Sequence, residues 1–409
     1  MSLSPHAVAD RPTWAKEPRR AVWIALSLWT LLCSSLHAAA AGYSWHYFML
    51  GARLLTQPAG SGAGLHLYAA HPELQIGPLA LAIAVPFSWA GPTFGLLLAA
   101  MALTALGLVA LRVLVTAAER TAPISDSLLL LTGICLMPAW AELATHFTHL
   151  DDGLTLGFAV LALSAVASDR PLVVGLCLAA AIGCKPWAIA FAPLLLALTP
   201  QQRRRAAMLT LLGVLAVWLP FLVGDPGTTA LGHFSIVNAA DSALRALGVT
   251  SAGTPPWDRA AQAALGLAVA AVVVRRRRWP AVILAGIAAR MLLDPQTYPY
   301  YTAGLVLAAA AVDVMRPQRQ LPLWTTAAFG FYLVTTVGKL LLPAGPLGDV
   351  RVAFLASILG LLCIPGPQAR GPRPPARGPS NSSWSHLGEQ AGIRPQLPAL
   401  RTVVASRIA

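Results

Sequence analysis

Two histidines and three carboxylates are crowded into the stretch Glu142-Leu143-Ala144-Thr145-His146-Phe147-Thr148-His149-Leu150-Asp151-Asp152. Such a set can move protons or hold a cation, since imidazole titrates near neutrality and a carboxylate accepts protons and hydrogen bonds. Glu142, His146 and His149 follow helical spacing, which allows metal ligation. Asp151 or Asp152 either caps the next helix or works in a pocket, and capping occupies only one of the two. A second candidate is Lys185 in Gly183-Cys184-Lys185-Pro186-Trp187, where Pro186 breaks the chain and aims the ammonium. It either snorkels to headgroups or holds a phosphate as a point charge. A third is Arg290 with Asp294 one turn later, followed by a tyrosine-rich turn through Tyr298, Tyr300 and Tyr301. That pair either neutralises itself or belongs to a site. A fourth is the segment Gly42 to Glu73, where His46, His66, His71 and Glu73 are interleaved with Trp45, Tyr47 and Tyr68. Rings with a polar tip suit a membrane interface, but an interfacial belt does not account for the three histidines and the glutamate.

The elements that carry these residues belong in a membrane. Of 409 residues, 56% are hydrophobic and only 11% charged, and the mean hydropathy is +0.65, which excludes an ordinary soluble chain. The net charge of +13 is distributed as short basic runs between apolar stretches, a topology signal and not a nucleic-acid face. Cys33, Cys135, Cys177, Cys184 and Cys363 all sit in or beside apolar segments without ligand spacing. They read as small buried apolar residues.

The basic residues Lys16, Arg19 and Arg20, Arg112 with Arg120, Arg203 to Arg205, Arg275 to Arg278 and Arg316 with Arg319 are placed in the cytoplasm by the positive-inside rule. Apolar runs between these ends are even in number (125–140, 153–167, 171–183 and 187–199; 206–223 and 260–274; 279–293 and 301–315), with one exception. The runs 21–41, 74–90 and 93–115 are three, so one does not cross. The segment 74–90, broken by prolines and glycines, is read as a re-entrant or in-plane helix on the outer face. Adding 321–342 and 350–364 gives an all-α polytopic protein of about twelve spans. Residues 1–20 form a cytoplasmic N-terminus, 21–364 the membrane domain, and 365–409, rich in Pro, Gly, Ser and Arg, a disordered basic cytoplasmic tail. Leu36-His37-Ala38-Ala39-Ala40 resembles a cleavage site, but the first helix is read as retained. The outer side then holds more carboxylates than cations.

The stretch from Thr148 to about Leu196 resembles the actinobacterial polyprenol-phosphate-mannose-dependent α-mannosyltransferases of the GT-C class. The family's short polar motif (Gly-Gln-x-Asn) reads Thr148-His149-Leu150-Asp151 here, followed by Arg170, the Gly-rich helix from Gly175 to Gly183, and Lys185-Pro186. Leu67-Tyr68 and the segment from Pro72 to Leu79 match the family's Leu-Tyr and Pro-Pro-Leu region, so the resemblance covers roughly residues 40 to 200. It implies a GT-C-like fold in the cell membrane, with an active site on the outer face. There a hexose, with mannose the expected sugar, passes from a polyprenyl-phosphate donor to a lipid or polysaccharide acceptor with inversion. The family's base, an Asp soon after the first span, has no counterpart, because no Asp occurs between Asp10 and Asp126. Asp151, Asp152, Glu73 or His46 is expected to serve instead. Lys185 and Arg290 would bind the donor phosphate, and Trp45, Tyr47, Tyr68, Gln75, His149, Trp187, Asp294 and Tyr298 the sugar or lipid. No Gly-rich nucleotide loop is present, which favours a lipid-linked donor. No cofactor, resident metal or nucleic acid is expected. A secondary transporter using Lys185, Arg290 and Asp294 as a relay, and a non-catalytic polyprenyl-lipid-binding relative, are the alternatives.

Overall fold

Each apolar run forms a helix, and prolines at the first turn mark several of the starts, where a missing N–H costs nothing. The computed structural model describes residues 16–58, 62–316 and 320–364. Residues 1–15, Arg319 and the tail expected over 365–409 lie outside them. In chain order the helices are α1 (Lys16–Leu36), α2 (Trp45–Thr56), the single turn α3 (Leu67–Ala70), α4 (Pro78–Trp89), α5 (Pro92–Ala118), α6 (Asp126–Ala141), α7 (Leu150–Ala167) and α8 (Pro171–Cys184). There follow α9 (Pro200–Gly224), the turn α10 (Ala243–Ala246), α11 (Asp258–Arg275), α12 (Val282–Leu293), α13 (Tyr301–Val314), α14 (Leu323–Val337) and α15 (Ala344–Cys363). Among the described residues there is no strand, only a lone bridge between Val237 and Gly253.

The protein is therefore all-α, and among the described residues five helices are long and apolar enough to cross a membrane: α5, α6 with its continuation to Phe147, α7, α9 and α15. Their surroundings differ. The most apolar part of α9 is only 17% buried, against 78% for the α6 segment. Met208, Leu211, Leu212, Leu219 and Leu222 of α9 are exposed, an outer surface suited to lipid and not to water. Other apolar helices are shorter than a bilayer core. At 14 residues, α8 is about 21 Å long, against a hydrocarbon thickness of about 30 Å. The run expected over 187–199 is a 3-10 helix, Pro186–Ala197, interrupted by Pro193. In α13 every residue from Thr302 to Val314 is buried, so its surroundings are protein.

Three local features position the residues singled out above. First, α6 continues as a π-helical turn, Glu142–Phe147, a rare conformation often found where function requires it. The carbonyls this turn leaves free at Thr145, His146 and Phe147 accept from the N–H groups of Gly42, Tyr43 and Ser44 at 3.1, 3.0 and 3.0 Å. The first connecting segment is thereby pinned to the second, and backbone groups that would be orphaned at a helix end are satisfied. Second, Thr148 adopts left-handed backbone, φ 48° and ψ 52°, unusual for a β-branched residue. Its hydroxyl donates to Thr145 O at 2.9 Å. Third, residues 74–77 are irregular, and Gly77 N–H donates to Cys184 O at 2.9 Å. A Cβ on Gly77 would overlap the carbonyl oxygens of Gly183 and Cys184. Its φ of −70° suits any residue, so the glycine is required by close approach alone.

Gly77→Ala should therefore destabilise the protein by about 1–3 kcal/mol, the usual cost of overpacking, read as a lower Tm in detergent. Gly330→Ala, where an added Cβ meets nothing within 4 Å, should not lower the Tm. Equal Tm values for Gly77→Ala and wild type would contradict the contact.

Candidate functional site

The left-handed turn at Thr148 changes the phase between the π-helical segment and α7, and it separates the two histidines. His146 Nδ1 meets Glu142 Oε1 at 2.8 Å, whereas His149 Nδ1 meets Asp151 Oδ1 at 2.6 Å. The common metal-ligating face expected of Glu142, His146 and His149 is not formed, because helical spacing does not persist across that turn.

Asp151 has no exposed surface. A carboxylate removed from water must be paired and hydrogen-bonded, and three groups satisfy it: His149, the backbone N–H of Asp152 at 2.8 Å and the ammonium of Lys185. Asp152 lies beside them, with Oδ2 3.5 Å from Lys185 Nζ and 3.3 Å from His149 Nδ1, and Oδ1 3.5 Å from Arg290 Nη1. Arg290 Nε is 3.3 Å from Asp294 Oδ2, and Asp294 Oδ1 accepts from Gln296 N–H at 2.9 Å. The guanidinium is held between Trp187 and Tyr301, 4.6 and 4.4 Å from the ring centres, a cation–π arrangement. The chain of charges thus joins α7, the break after α8 and the end of α12. With three carboxylates against two cations, Lys185 is engaged by Asp151 and is not a free clamp. Neither Asp is the cap of α7, whose N-cap position is His149 with no side-chain cap hydrogen bond; Asp151 lies in the first turn, and its second oxygen carries the ammonium.

In front of this network lies a cavity of about 900 Å³. His149, Lys185, Arg290, Asp294, Glu73, Gln75, Tyr47, Trp187 and Tyr298 line it, which brings together nine of the residues proposed from sequence. An ionised carboxylate only accepts hydrogen bonds, so His149 Nδ1 carries the proton shared with Asp151, and a neutral ring in that tautomer has its lone pair on Nε2. Rings crowd this end: His149 packs on Tyr300 at 4.0 Å, Phe147 on Tyr300 at 4.8 Å, and Tyr298 stacks on Tyr300 at 5.6 Å. Burial pushes the Tyr298 phenol above its ordinary range, which leaves it a donor. The opposite wall is apolar, built from Ile182, Ile189, Val214, Trp218 and Leu222. Leu222 also lies on α9, whose apolar face is exposed, so that helix contributes both to the cavity and to the apolar outer surface.

Five expected site residues are placed outside that lining. Trp45 is buried, its indole N–H donating to Pro92 O at 3.2 Å, and Tyr68 is fully buried with its hydroxyl on Ile76 O at 2.8 Å. Both are core residues satisfied by backbone. His46 is exposed and packs on Tyr47, outside the cavity lining. Asp152, like Asp151, sits behind that lining. His66 and His71 do not gather either, since His66 pairs with Asp225 at 2.8 Å and His71 with Glu73 at 3.1 Å.

Other contributors come from distant segments. Arg259 donates to Gln75 Oε1 at 2.6 Å, Leu231 O at 3.0 Å and Phe234 O at 2.7 Å, so among the described residues its hydrogen bonds go to neutral oxygens. Asp258 is fully buried and accepts from Gln262 at 2.8 Å. Both line the cavity, as do Tyr43, Tyr300 and Tyr301. The one signal in the chain was an acid–base pair, Asp258-Arg259, at the head of an apolar run. The chain matches no protein-family model, no curated protein and no solved structure.

Lys185→Met should cost about 3–5 kcal/mol, the cost of stranding a buried charge. Asp151→Leu with Lys185→Met should recover most of it in thermal unfolding; a double variant as unstable as Lys185→Met would contradict the pairing. The segment 226–233 carries a separate pH signature. His66 first, and the Gly227 N–H second, hold the Asp225 carboxyl below its ordinary range. Its contribution is therefore present above the ordinary carboxylate pKa and lost as pH falls through the lowered value. Hydrogen-exchange protection over 226–233, taken relative to the intrinsic rate at each pH, should fall on acidification in wild type and be low throughout in Asp225→Asn.

Proposed function

We propose that the chain is a multi-span membrane glycosyltransferase of GT-C type, with about twelve spans, cytoplasmic termini and its cavity on the outer face of the cell membrane. In this reading it moves a hexose, with mannose the expected sugar, from a polyprenyl phosphate to a lipid or polysaccharide acceptor with inversion. One observation carries the proposal: an imidazole backed by a buried carboxylate, His149 on Asp151, faces an aromatic cavity walled in part by α9, the helix with the apolar outer surface. An acceptor hydroxyl requires a base within hydrogen-bond reach, and a carboxylate that fixes the tautomer of that base follows the logic of catalytic triads. His149 Nε2 takes the proton; Asp151 and Lys185 are positioning residues.

The remaining groups have consistent tasks. Arg290 stabilises charge on the departing phosphate, and Arg259, which the sequence reading did not include, adds positive field there because no carboxylate pairs with it among the described residues. Lys185 passes from phosphate ligand to partner of Asp151. Sugar rings present C–H faces and hydroxyls, which suit Tyr47, Tyr298 and Trp187 beside Gln75, Glu73 and Asp294. The isoprenoid chain lies along Ile189, Val214, Trp218 and Leu222. Glu73, half-exposed at the cavity edge, is the second candidate base.

A secondary transporter is the alternative that a specific observation favours. The relay from Asp151 through Lys185, Asp152 and Arg290 to Asp294 is buried, and Asp152 Oδ2 accepts no hydrogen bond, a pattern found on ion pathways.

Transfer of labelled mannose from polyprenyl-phosphate mannose, measured with purified protein in lipid, separates the readings. Wild type should transfer, and His149→Gln should lower kcat by about 10²–10⁴-fold, the usual worth of a general base. Tyr68→Phe should stay within a few-fold. Full activity in His149→Gln would remove the assignment of the base. Absence of transfer together with solute uptake into proteoliposomes would favour the transporter.

A further inference from the structure

The second histidine cluster lies away from the cavity and is built from the other half of the His-rich segment. Glu142, at the start of the π-helical turn, is 4% exposed. Its Oε1 lies 2.8 Å from His146 Nδ1, and its Oε2 lies 3.5 Å from Nε2 of His37. His37 is the residue that ends α1 and caps the short turn Ala38–Ala40. The two imidazoles lie with centroids 5.6 Å apart and planes 12° from parallel, and each presents a nitrogen to the same carboxylate. All three ligand atoms lie within 4.8 Å of one another.

Charge balance distinguishes this cluster from the one behind the cavity. Asp151 and Asp152 also carry a histidine, but Lys185 and Arg290 already occupy their cationic positions. No lysine or arginine pairs with Glu142 among the described residues. A buried carboxylate without a permanent cation is costly, and a divalent ion held by the two imidazoles would supply one. The donor set is that of a borderline divalent ion: two imidazoles and a carboxylate, with a fourth position left to water. Tetrahedral bonds of about 2.0–2.1 Å place ligand atoms about 3.3 Å apart; here one ligand atom from each residue lies within 4.8 Å of the others, with His37 and His146 on opposite oxygens of the Glu142 carboxylate. The side chains of His37 and His146 are 27% and 30% exposed, which provides an entry path.

We infer that His37, Glu142 and His146 form a Zn²⁺-class metal site that fastens the end of α1 to the π-helical turn. The consequence reaches the cavity rim by contact. Tyr43 N–H donates to His146 O, and the Tyr43 ring packs on Phe147 at 5.3 Å; both residues line the cavity. The ion holds the backbone from which those rings project. The inference does not depend on the proposed transferase activity.

The test uses the full chain in lipid nanodiscs, stripped with chelator and titrated with Zn²⁺ against a chromophoric competitor, then with Co²⁺. Wild type should bind one equivalent saturably, raise its Tm with Zn²⁺, and show the visible absorption of four-coordinate cobalt. His37→Ala and His146→Ala should each weaken binding by at least about tenfold, a lower bound drawn from the cost of disturbing ligand surroundings. His149→Gln should bind as wild type. If the alanine variants fail to fold, nitrogen couplings in the Cu²⁺ spectrum of the wild type decide the matter, two imidazoles supporting the site and one or none contradicting it. Absence of saturable binding, affinity unchanged in His37→Ala and His146→Ala, or loss of binding in His149→Gln would overturn the inference.

Discussion

A carboxylate with no exposed surface, Asp151, is the constraint around which this fold is arranged. Removed from water, it requires a cation and full hydrogen bonding, and the requirement is met from three directions: the preceding histidine, the following backbone N–H and Lys185 from the next helix. To reach it, Lys185 must leave the end of α8, which Pro186 enforces by ending that helix. Gly77 then closes against the exposed carbonyls of Gly183 and Cys184, so the segment that carries Glu73 and Gln75 is brought to the same place. Arg290 and Asp294 extend the arrangement to α12 and fix the tyrosine-rich turn beyond it. One buried charge thus relates α7, α8, α12 and the segment before α4.

The cavity in front inherits its character from these neighbours. The rings of Phe48 and Tyr300 pack on His149, and the ion network behind them is buried, which strengthens the field at Arg290. The far wall is left to α9 and the 3-10 helix, whose other residues form an apolar outer surface. On the proposed reading, this polar, ring-lined compartment takes a substrate with a sugar at one end and a hydrocarbon chain at the other. The buried pair is less suited to grip a phosphate, because Lys185 is already neutralised.

Much of this was legible in the chain. Apolar runs and prolines located the helices, since burial of apolar length and the missing proline N–H are local properties. The importance of Asp151, Lys185 and Arg290 was also legible, because charge beside apolar sequence has few cheap explanations. Their relations were not. Lys185 and Asp151 are far apart in sequence, and nothing local to Lys185 distinguishes an ammonium awaiting phosphate from one paired with a carboxylate. The phase change at Thr148 sends His146 and His149 to different clusters, which periodicity alone does not reveal. Trp45 and Tyr68 read as interface rings because an aromatic side chain satisfied by a backbone carbonyl looks the same in sequence as one awaiting a ligand. Arg259 and Asp258 reach the cavity only through the way α11 packs against its neighbours.

The site turns on the orientation of one imidazole, which nitrogen NMR of selectively labelled His149 reads directly at neutral pH. If Asp151 fixes the ring, wild type shows the tautomer with the proton on Nδ1 and an unprotonated Nε2, and Asp151→Asn redistributes the proton toward Nε2. A wild-type ring protonated on Nε2 alone, or a spectrum indifferent to Asp151→Asn, would contradict the claim that this buried carboxylate sets up the site.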